Sequence, residues 1–387
     1  MHRIFHSQKF KMSLLFSPIQ VGDMQLKHRV VMGPMTRSRS PGEVANDLNA
    51  EYYAQRATDG GLIISEGTSC SVTAKGYEHV PACLTEEQAK GWKKSTDAVH
   101  AKGGYIYAQL WHVGRASTAK LQPDNKPPVS ASDLPTKGKD KPRSLTVEEI
   151  KFIVSEYKLS TRRAREANFD GIEIHAAHGY LIDQFLQTSS NKRTDQYGGS
   201  IENRARFLFE VLEACLSELP ASKVAIRLSP YMNGQDVSDE NPKALFTYVI
   251  SRLAKYKLSY VQLTEPVWGA WKPGPPHSQS KLNEFAGLLQ SPTKLILTGG
   301  YTLETAEQAL QEGRGDLIGF ARPFITNPDF VDRLRNAYEL TPYQDFKKYY
   351  GGGAEQYTDW EDYVTLEAKR KKEKSGQEQA GAGASHL

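Results

Sequence analysis

The sequence predicts an α/β fold: a (β/α)8 TIM barrel with an N-terminal β-hairpin and long βα-loop insertions. Three observations carry this. The chain has 387 residues, enough for one barrel with insertions. Eight short apolar runs recur along it, mostly followed by segments of helical pattern, the alternation that builds a parallel sheet. Polar residues collect where those runs end, and a barrel keeps its chemistry at the C-terminal ends of its strands.

The elements follow in order. Residues 14–25 read as a hairpin turning at Gly22-Asp23. Val30–Met35 is strand one, with Glu51–Thr58 in its helix, and Leu62–Ser65 is strand two. A capping box, Thr85-x-x-Gln88, opens the next helix, which stops at Gly103-Gly104. Tyr105–Leu110 is strand three. The stretch Ser117–Arg143, rich in Pro and Lys, is too long for a plain connection and reads as a functional cover. A second box, Thr146-x-x-Glu149, opens a helix reaching Asn168. Gly171-Ile-Glu-Ile-His175 is strand four, and the helix after it starts near Ser200. Val224–Arg227 is strand five; Asn241-Pro242 opens a helix, with Pro where a missing N–H costs nothing. Tyr260–Leu263, Lys294–Leu297 and Asp316–Phe320 complete the eight.

Three units result: a leader over residues 1–12, a barrel domain over 13–366, and a disordered tail over 367–387, where charge gives way to Gly, Ala and Ser. Net charge is +4, concentrated in the leader and tail, so the body is nearly neutral and offers no nucleic-acid surface. No apolar run approaches a membrane span, and the leader lacks the apolar core of a secretory signal. Three cysteines without CxxC spacing suit a reducing compartment and argue against structural zinc or an iron–sulfur cluster. The last residues, Ser385-His386-Leu387, are a conservative variant of the Ser-Lys-Leu peroxisomal address. A peroxisomal import receptor is therefore an expected partner, with the cytoplasm as the alternative location. Composition leaves monomer and homodimer both open.

Strand four ends in His175, His178 and Tyr180, three protic side chains within six residues. Gln109 is an amide suited to reading donors and acceptors on a flat heterocycle, and Arg227 a permanent cation suited to a ring carrying negative charge. Gly299-Gly300 and Ala321-Arg322, each just before a helix, suit a phosphate. Together these describe a phosphorylated planar cofactor across the top of the barrel. Each has a plainer reading. Single histidines are usually satisfied in a core, a lone barrel arginine usually makes an ion pair, and His-x-x-His near Asp183 also resembles part of a metal site.

Longer segments narrow the choice. Val31-Met-Gly-Pro-Met-Thr-Arg37, Ile64-Ser-Glu-Gly67, Ala108-Gln-Leu-Trp-His-Val-Gly-Arg115, His175-Ala-Ala-His-Gly-Tyr-Leu-Ile-Asp-Gln-Phe185, Arg193-Thr-Asp-Gln-Tyr-Gly-Gly-Ser200 and Tyr350-Gly-Gly-Gly-Ala-Glu355 resemble the old yellow enzyme family of FMN-dependent ene-reductases, near its 12-oxophytodienoate reductase branch. The resemblance spans residues 14 to 366. It implies that Pro34, Thr36, Gly67, Gln109 and Arg227 surround a tightly but non-covalently bound FMN ring. Arg322 and the backbone at Gly299, Gly300 and Ala321 would hold its phosphate. His175 and His178 would bind the carbonyl oxygen of an enone, with Tyr180 giving a proton to Cα and NADPH as the reductant. Tyr77, Trp111, Trp268 and Tyr350 would line the substrate side. The chain departs from the family in having Ala321 where Gly is common, and Gln356 and Trp360-Glu361 where Gly and Tyr-Pro are commoner. Two competing functions remain at this stage: a metal-dependent barrel hydrolase using His175 and His178, and a flavin-binding barrel without turnover.

Overall fold

The computed structural model describes residues 13–232, 234–266, 280–342 and 346–383. The leader, Trp268 and Ser385–Leu387 lie outside the described residues. Eight parallel strands close on themselves: β1 (Val30–Met32), β2 (Leu62–Ile64), β3 (Tyr105–Trp111), β4 (Gly171–Ala176), β5 (Val224–Leu228), β6 (Tyr260–Thr264), β7 (Lys294–Thr298) and β8 (Leu317–Phe320). Each pairs with its sequence neighbours, and β8 returns to β1 through Gly319 opposite Val31. All eight are buried along nearly their whole length, as a sheet covered on both faces must be.

Around the barrel run α1 (Asp47–Arg56), α2 (Glu86–His100), α3 (Val147–Glu166), α4 (Leu181–Leu186), α5 (Ile201–Leu216), α6 (Pro242–Leu253), α7 (Leu303–Gln311), α8 (Pro323–Thr326) and α9 (Phe330–Asn336). Both predicted capping boxes form: Thr85 accepts from Gln88 N–H and Thr146 from Glu149 N–H, each reciprocated by the Gln or Glu side chain. The helix α4 has no counterpart in the sequence reading. It is buried on every face, so it carries no amphipathic period to reveal it.

Two cores result. One lies between helices and barrel. The other fills the barrel's lower half with Val31, Leu62, Ile64, Tyr107, Ala225, Tyr260, Ile296 and Leu317. The hairpin Ile19–Val21/Met24–Leu26 closes the floor of that second core with Val21, Met24 and Leu26, each worth roughly 1.5–3 kcal/mol on full burial. Its turn needs glycine: Gly22 has φ 53°, and a Cβ there would overlap Ser222 O. Above this apolar layer the inward positions turn polar, with Gln109, Glu173, Arg227, Gln262, Thr264 and Thr298, all buried.

The long segment after β3, read as a cover, is packed against its neighbours. Val129–Ser130 and Arg143–Ser144 pair as short parallel strands. Arg115 donates to Leu134 O, Gln235 O and Asp236 O, each at 3.0 Å, tying β3, this segment and the β5 loop together. Tyr363–Gly383 forms a helix, α10, where the tail was expected to be disordered. Low hydrophobicity does not prevent a helix in a stretch of Ala, Glu, Lys and Gln, and its first turn is docked. Tyr363 N–H donates to Asp329 Oδ2 at 2.7 Å, and the Tyr363 ring stacks on Tyr338 with centroids 4.0 Å apart.

Candidate active site

A cavity of about 430 Å³ opens at the C-terminal ends of the strands, within the ordinary size range of small-molecule sites. Its lining brings together Pro34, Thr36, Gly67, Tyr77, Gln109, Trp111, His175, His178, Tyr180, Arg227, Ala321, Arg322 and Tyr350, thirteen positions singled out from the sequence. Gly299 and Gly300 lie beyond its edge. They follow β7, which pairs with β8 just before Ala321, and both have positive φ, 116° and 73°. Met35, Ile325 and Tyr349 also line the cavity and were not foreseen. Met35 and Tyr349 adjoin foreseen residues, and Ile325 sits one turn after Arg322, so adjacency was the available signal.

The turn after β4 sets the three protic side chains. His178 has φ 59° and Gly179 φ 75°. A left-handed histidine is costly, and the turn is held from two sides. His178 N–H donates to Ser229 Oγ, and Gly179 N–H to Asp183 Oδ2, both at 2.8 Å. The His175 ring lies 5.4 Å from that of His178 and 5.0 Å from that of Tyr180, edge-on to both. Trp111 meets Tyr180 edge-on at 5.0 Å and stacks with Tyr77 at 5.7 Å. Gly67 is required here, since a Cβ would overlap the Trp111 indole.

Burial, reinforced by Arg227, holds both imidazoles well below their usual pKa, so they are neutral at physiological pH. Nδ1 of His175 accepts the Ala177 N–H at 3.3 Å, which places the ring proton on Nε2, available to donate. Burial, with Tyr77 adding to it, pushes the Tyr180 phenol well above 10, so it keeps its proton. On the floor, Gln109 Nε2 donates to Glu173 Oε1 at 2.7 Å, and Arg227 Nε donates to Thr264 Oγ1 at 3.3 Å.

One rim is fastened by two arginines. Arg37 donates to Tyr349 O (3.1 Å) and Gln356 O (2.8 Å). Arg39 donates to Gly353 O (2.9 Å), Lys348 O and Glu355 O (both 3.0 Å). Both guanidiniums lie over the Tyr357 ring, at 5.0 and 4.5 Å. The Glu66 carboxylate accepts Arg37 N–H and Ser38 N–H. This clamp sets the segment carrying Tyr349 and Tyr350 over the opening; Tyr350 is 62% exposed, a rim residue rather than a wall.

His112 is not part of the site. It is fully buried, with Nδ1 accepting Gly114 N–H and Nε2 bonded to Thr73 Oγ1, and burial lowers its pKa to about 3. Its folded pKa is depressed, so the stability it contributes is present above 6.5 and is lost as pH falls toward 3. Buried Glu173 and Asp183, raised to about 7, act with the opposite sign, losing their contribution as pH rises through 7. A His112→Gln variant isolates one group. Between pH 6.5 and 5 the parent protein should lose about 2 kcal/mol of unfolding free energy that the variant keeps. Identical pH dependence in denaturant titrations would contradict this.

Among the described residues no group of three or more His, Cys, Asp and Glu side chains is placed to hold a metal ion. Asp183, the nearest acid in sequence to the histidines, is engaged with Gly179 N–H and Gln187. The metal-hydrolase reading therefore finds no support. No helix among the described residues is long and apolar enough to cross a membrane.

The chain is similar to known proteins over nearly its whole length. The model of the NADH:flavin oxidoreductase / NADH oxidase family matches residues 14–341. The chain is 42% identical over 378 residues to 12-oxophytodienoate reductase 7 of Oryza sativa subsp. japonica, covering 91% of this chain and 95% of that one. It is 42% identical over 377 residues to flavin oxidoreductase hxnT of Emericella nidulans, covering 89% and 97%. Among solved structures, morphinone reductase superposes with a TM-score of 0.85 at 40% identity, covering 92% of this chain and 97% of that one. The same enzyme in complex with tetrahydroNAD gives 0.84, with coverage of 90% and 97%.

Proposed function

The chain belongs to the NADH:flavin oxidoreductase / NADH oxidase family, the old yellow enzymes, and on that footing we propose what each residue of the cavity does. The protein is an FMN-dependent ene-reductase acting on the C=C bond of α,β-unsaturated carbonyl compounds. The observation that carries the assignment of roles is the meeting of two neutral imidazoles and a protonated phenol in one cavity with Gln109 and Arg227, the latter paired in register with His175.

The side chains present fit FMN. The cavity is lined by the Gln109 amide, the buried Arg227 guanidinium and Arg322, a donor set suited to a heterocycle that gains negative charge and carries a phosphate. Pro34, Thr36 and Gly67 would border the ring, and Arg322 with the backbone of Gly299, Gly300 and Ala321 would hold the phosphate. Bound there, FMN would supply the redox chemistry, linking a reduced nicotinamide to the substrate C=C bond by hydride transfer. Everything else falls to the protein. His175 and His178 donate to the substrate carbonyl oxygen, which becomes more negative as Cβ is attacked, so their hydrogen bonds strengthen toward the transition state. Tyr180 gives its proton to Cα. Trp111, Tyr77 and Tyr350 shape the substrate side and limit access of water.

NADPH is the proposed reductant, and the proposed substrate is an enone of oxylipin type such as 12-oxophytodienoate. Names of similar proteins and the tail Ser385-His386-Leu387, read as a peroxisomal address, support that choice. Single-turnover reoxidation of the NADPH-reduced protein against enones, nitroalkenes and oxylipins tests it. An oxylipin enone should give the highest second-order rate constant of reoxidation; equal rates across the panel would contradict the substrate choice. A tagged protein lacking Ser385–Leu387 should leave the peroxisome, and a full-length protein that is cytosolic from the start would reject the address.

A further inference from the structure

The polar layer under the cavity holds one acid that the roles above do not use. Glu173 is on β4, two residues before His175, with its side chain inside the barrel and fully buried. It faces three strands. Gln109 on β3 donates its Nε2 to Glu173 Oε1 at 2.7 Å. Arg227 on β5 stabilises its ionised form, and Tyr260 on β6 lies against it. Arg227 and Tyr260 are the titratable groups that act on it among the described residues.

We propose that Glu173 is a positioning residue for the flavin: its carboxylate fixes the Gln109 amide and balances Arg227 from below. This rests on the FMN reading of the cavity. A side-chain amide is ambiguous, because rotation by 180° exchanges its C=O and NH2 at little cost. A carboxylate accepts and cannot donate, so Glu173 selects the NH2 side and turns Gln109 Oε1 elsewhere. One N–H and one C=O of Gln109 then remain, a pattern complementary to the adjacent C=O and N–H of a ring imide. With the amide free to turn, half of its arrangements would set like against like, and a mismatched buried polar pair costs more than the good pair gains. The charge acts separately. Reduction adds negative charge to the ring. A carboxylate behind Arg227 in a dry layer opposes that addition, so Glu173 holds down a potential that Arg227 alone would raise.

Two variants separate these effects, measured at pH 8, where the carboxyl is ionised. Glu173→Leu removes both acceptor and charge, and FMN affinity by fluorescence titration should fall at least tenfold, with a shifted visible spectrum of the bound oxidised flavin. Glu173→Gln keeps size and polarity, so affinity should fall less than tenfold while the midpoint potential moves positive. The loss in Glu173→Leu should also be absent when Gln109 is already Ala, because the effect passes through that amide. Absence of the affinity loss, of the potential shift or of the coupling would overturn the proposal. If Glu173→Leu does not fold, an unchanged midpoint potential in Glu173→Gln overturns it alone. Parent protein that takes up no FMN would instead reject the underlying reading.

Discussion

Replacing Tyr180 with Phe is expected to slow reoxidation of the reduced protein by an enone roughly 10²–10⁴-fold, the usual contribution of a positioned general acid. Flavin reduction by NADPH should keep its parent rate, since that half-reaction takes no proton from Tyr180. The geometry supports the split. The phenol sits 5.0 Å ring to ring from both His175 and Trp111, and burial keeps it protonated. Removing one hydroxyl from a packed ring leaves its aromatic contacts in place. Stopped-flow measurement of each half-reaction distinguishes the roles: equal loss in both would mean that Tyr180 orders the cavity rather than delivering a proton.

The second large effect is at the histidines. His175→Ala removes a donor whose proton is fixed on Nε2 by the Ala177 N–H. Loss of one donor to a developing oxyanion costs ~10²–10³-fold in rate, about 3–4 kcal/mol of barrier. The same donor should hold a phenolate in the oxidised enzyme, so para-substituted phenols should bind more weakly to the variant. Unchanged phenol affinity, read from the long-wavelength charge-transfer band, would contradict a carbonyl clamp.

Much of this site was legible because barrels place function at strand ends, and short motifs mark those ends. Thirteen of the foreseen residues meet in one cavity because β1, β2, β3, β4, β5 and β8 all deliver side chains to the same rim. The helix starts at Thr85 and Thr146 were legible for a local reason, since a capping box is complete within four residues. What escaped had no local signal. The Arg37 and Arg39 clamp joins residues about 310 apart in sequence, and nothing in either segment names its partner. Glu173 was visible as a charge within an apolar strand, yet its importance depends on Gln109 and Arg227 arriving from neighbouring strands. The tail read as disordered from composition, although its residues favour a helix once Tyr363 docks on Tyr338.

One cavity is expected to pass hydride to an enone while His175, His178 and Tyr180 handle oxygen and proton. The direct measurement is an anaerobic single turnover: FMN-loaded protein is reduced with one equivalent of NADPH, then mixed with 2-cyclohexenone. Oxidised flavin absorbance should return in full with a rate that saturates in enone concentration, and one equivalent of cyclohexanone should form. Flavin that stays reduced until oxygen is admitted, with the enone recovered unchanged, would contradict it.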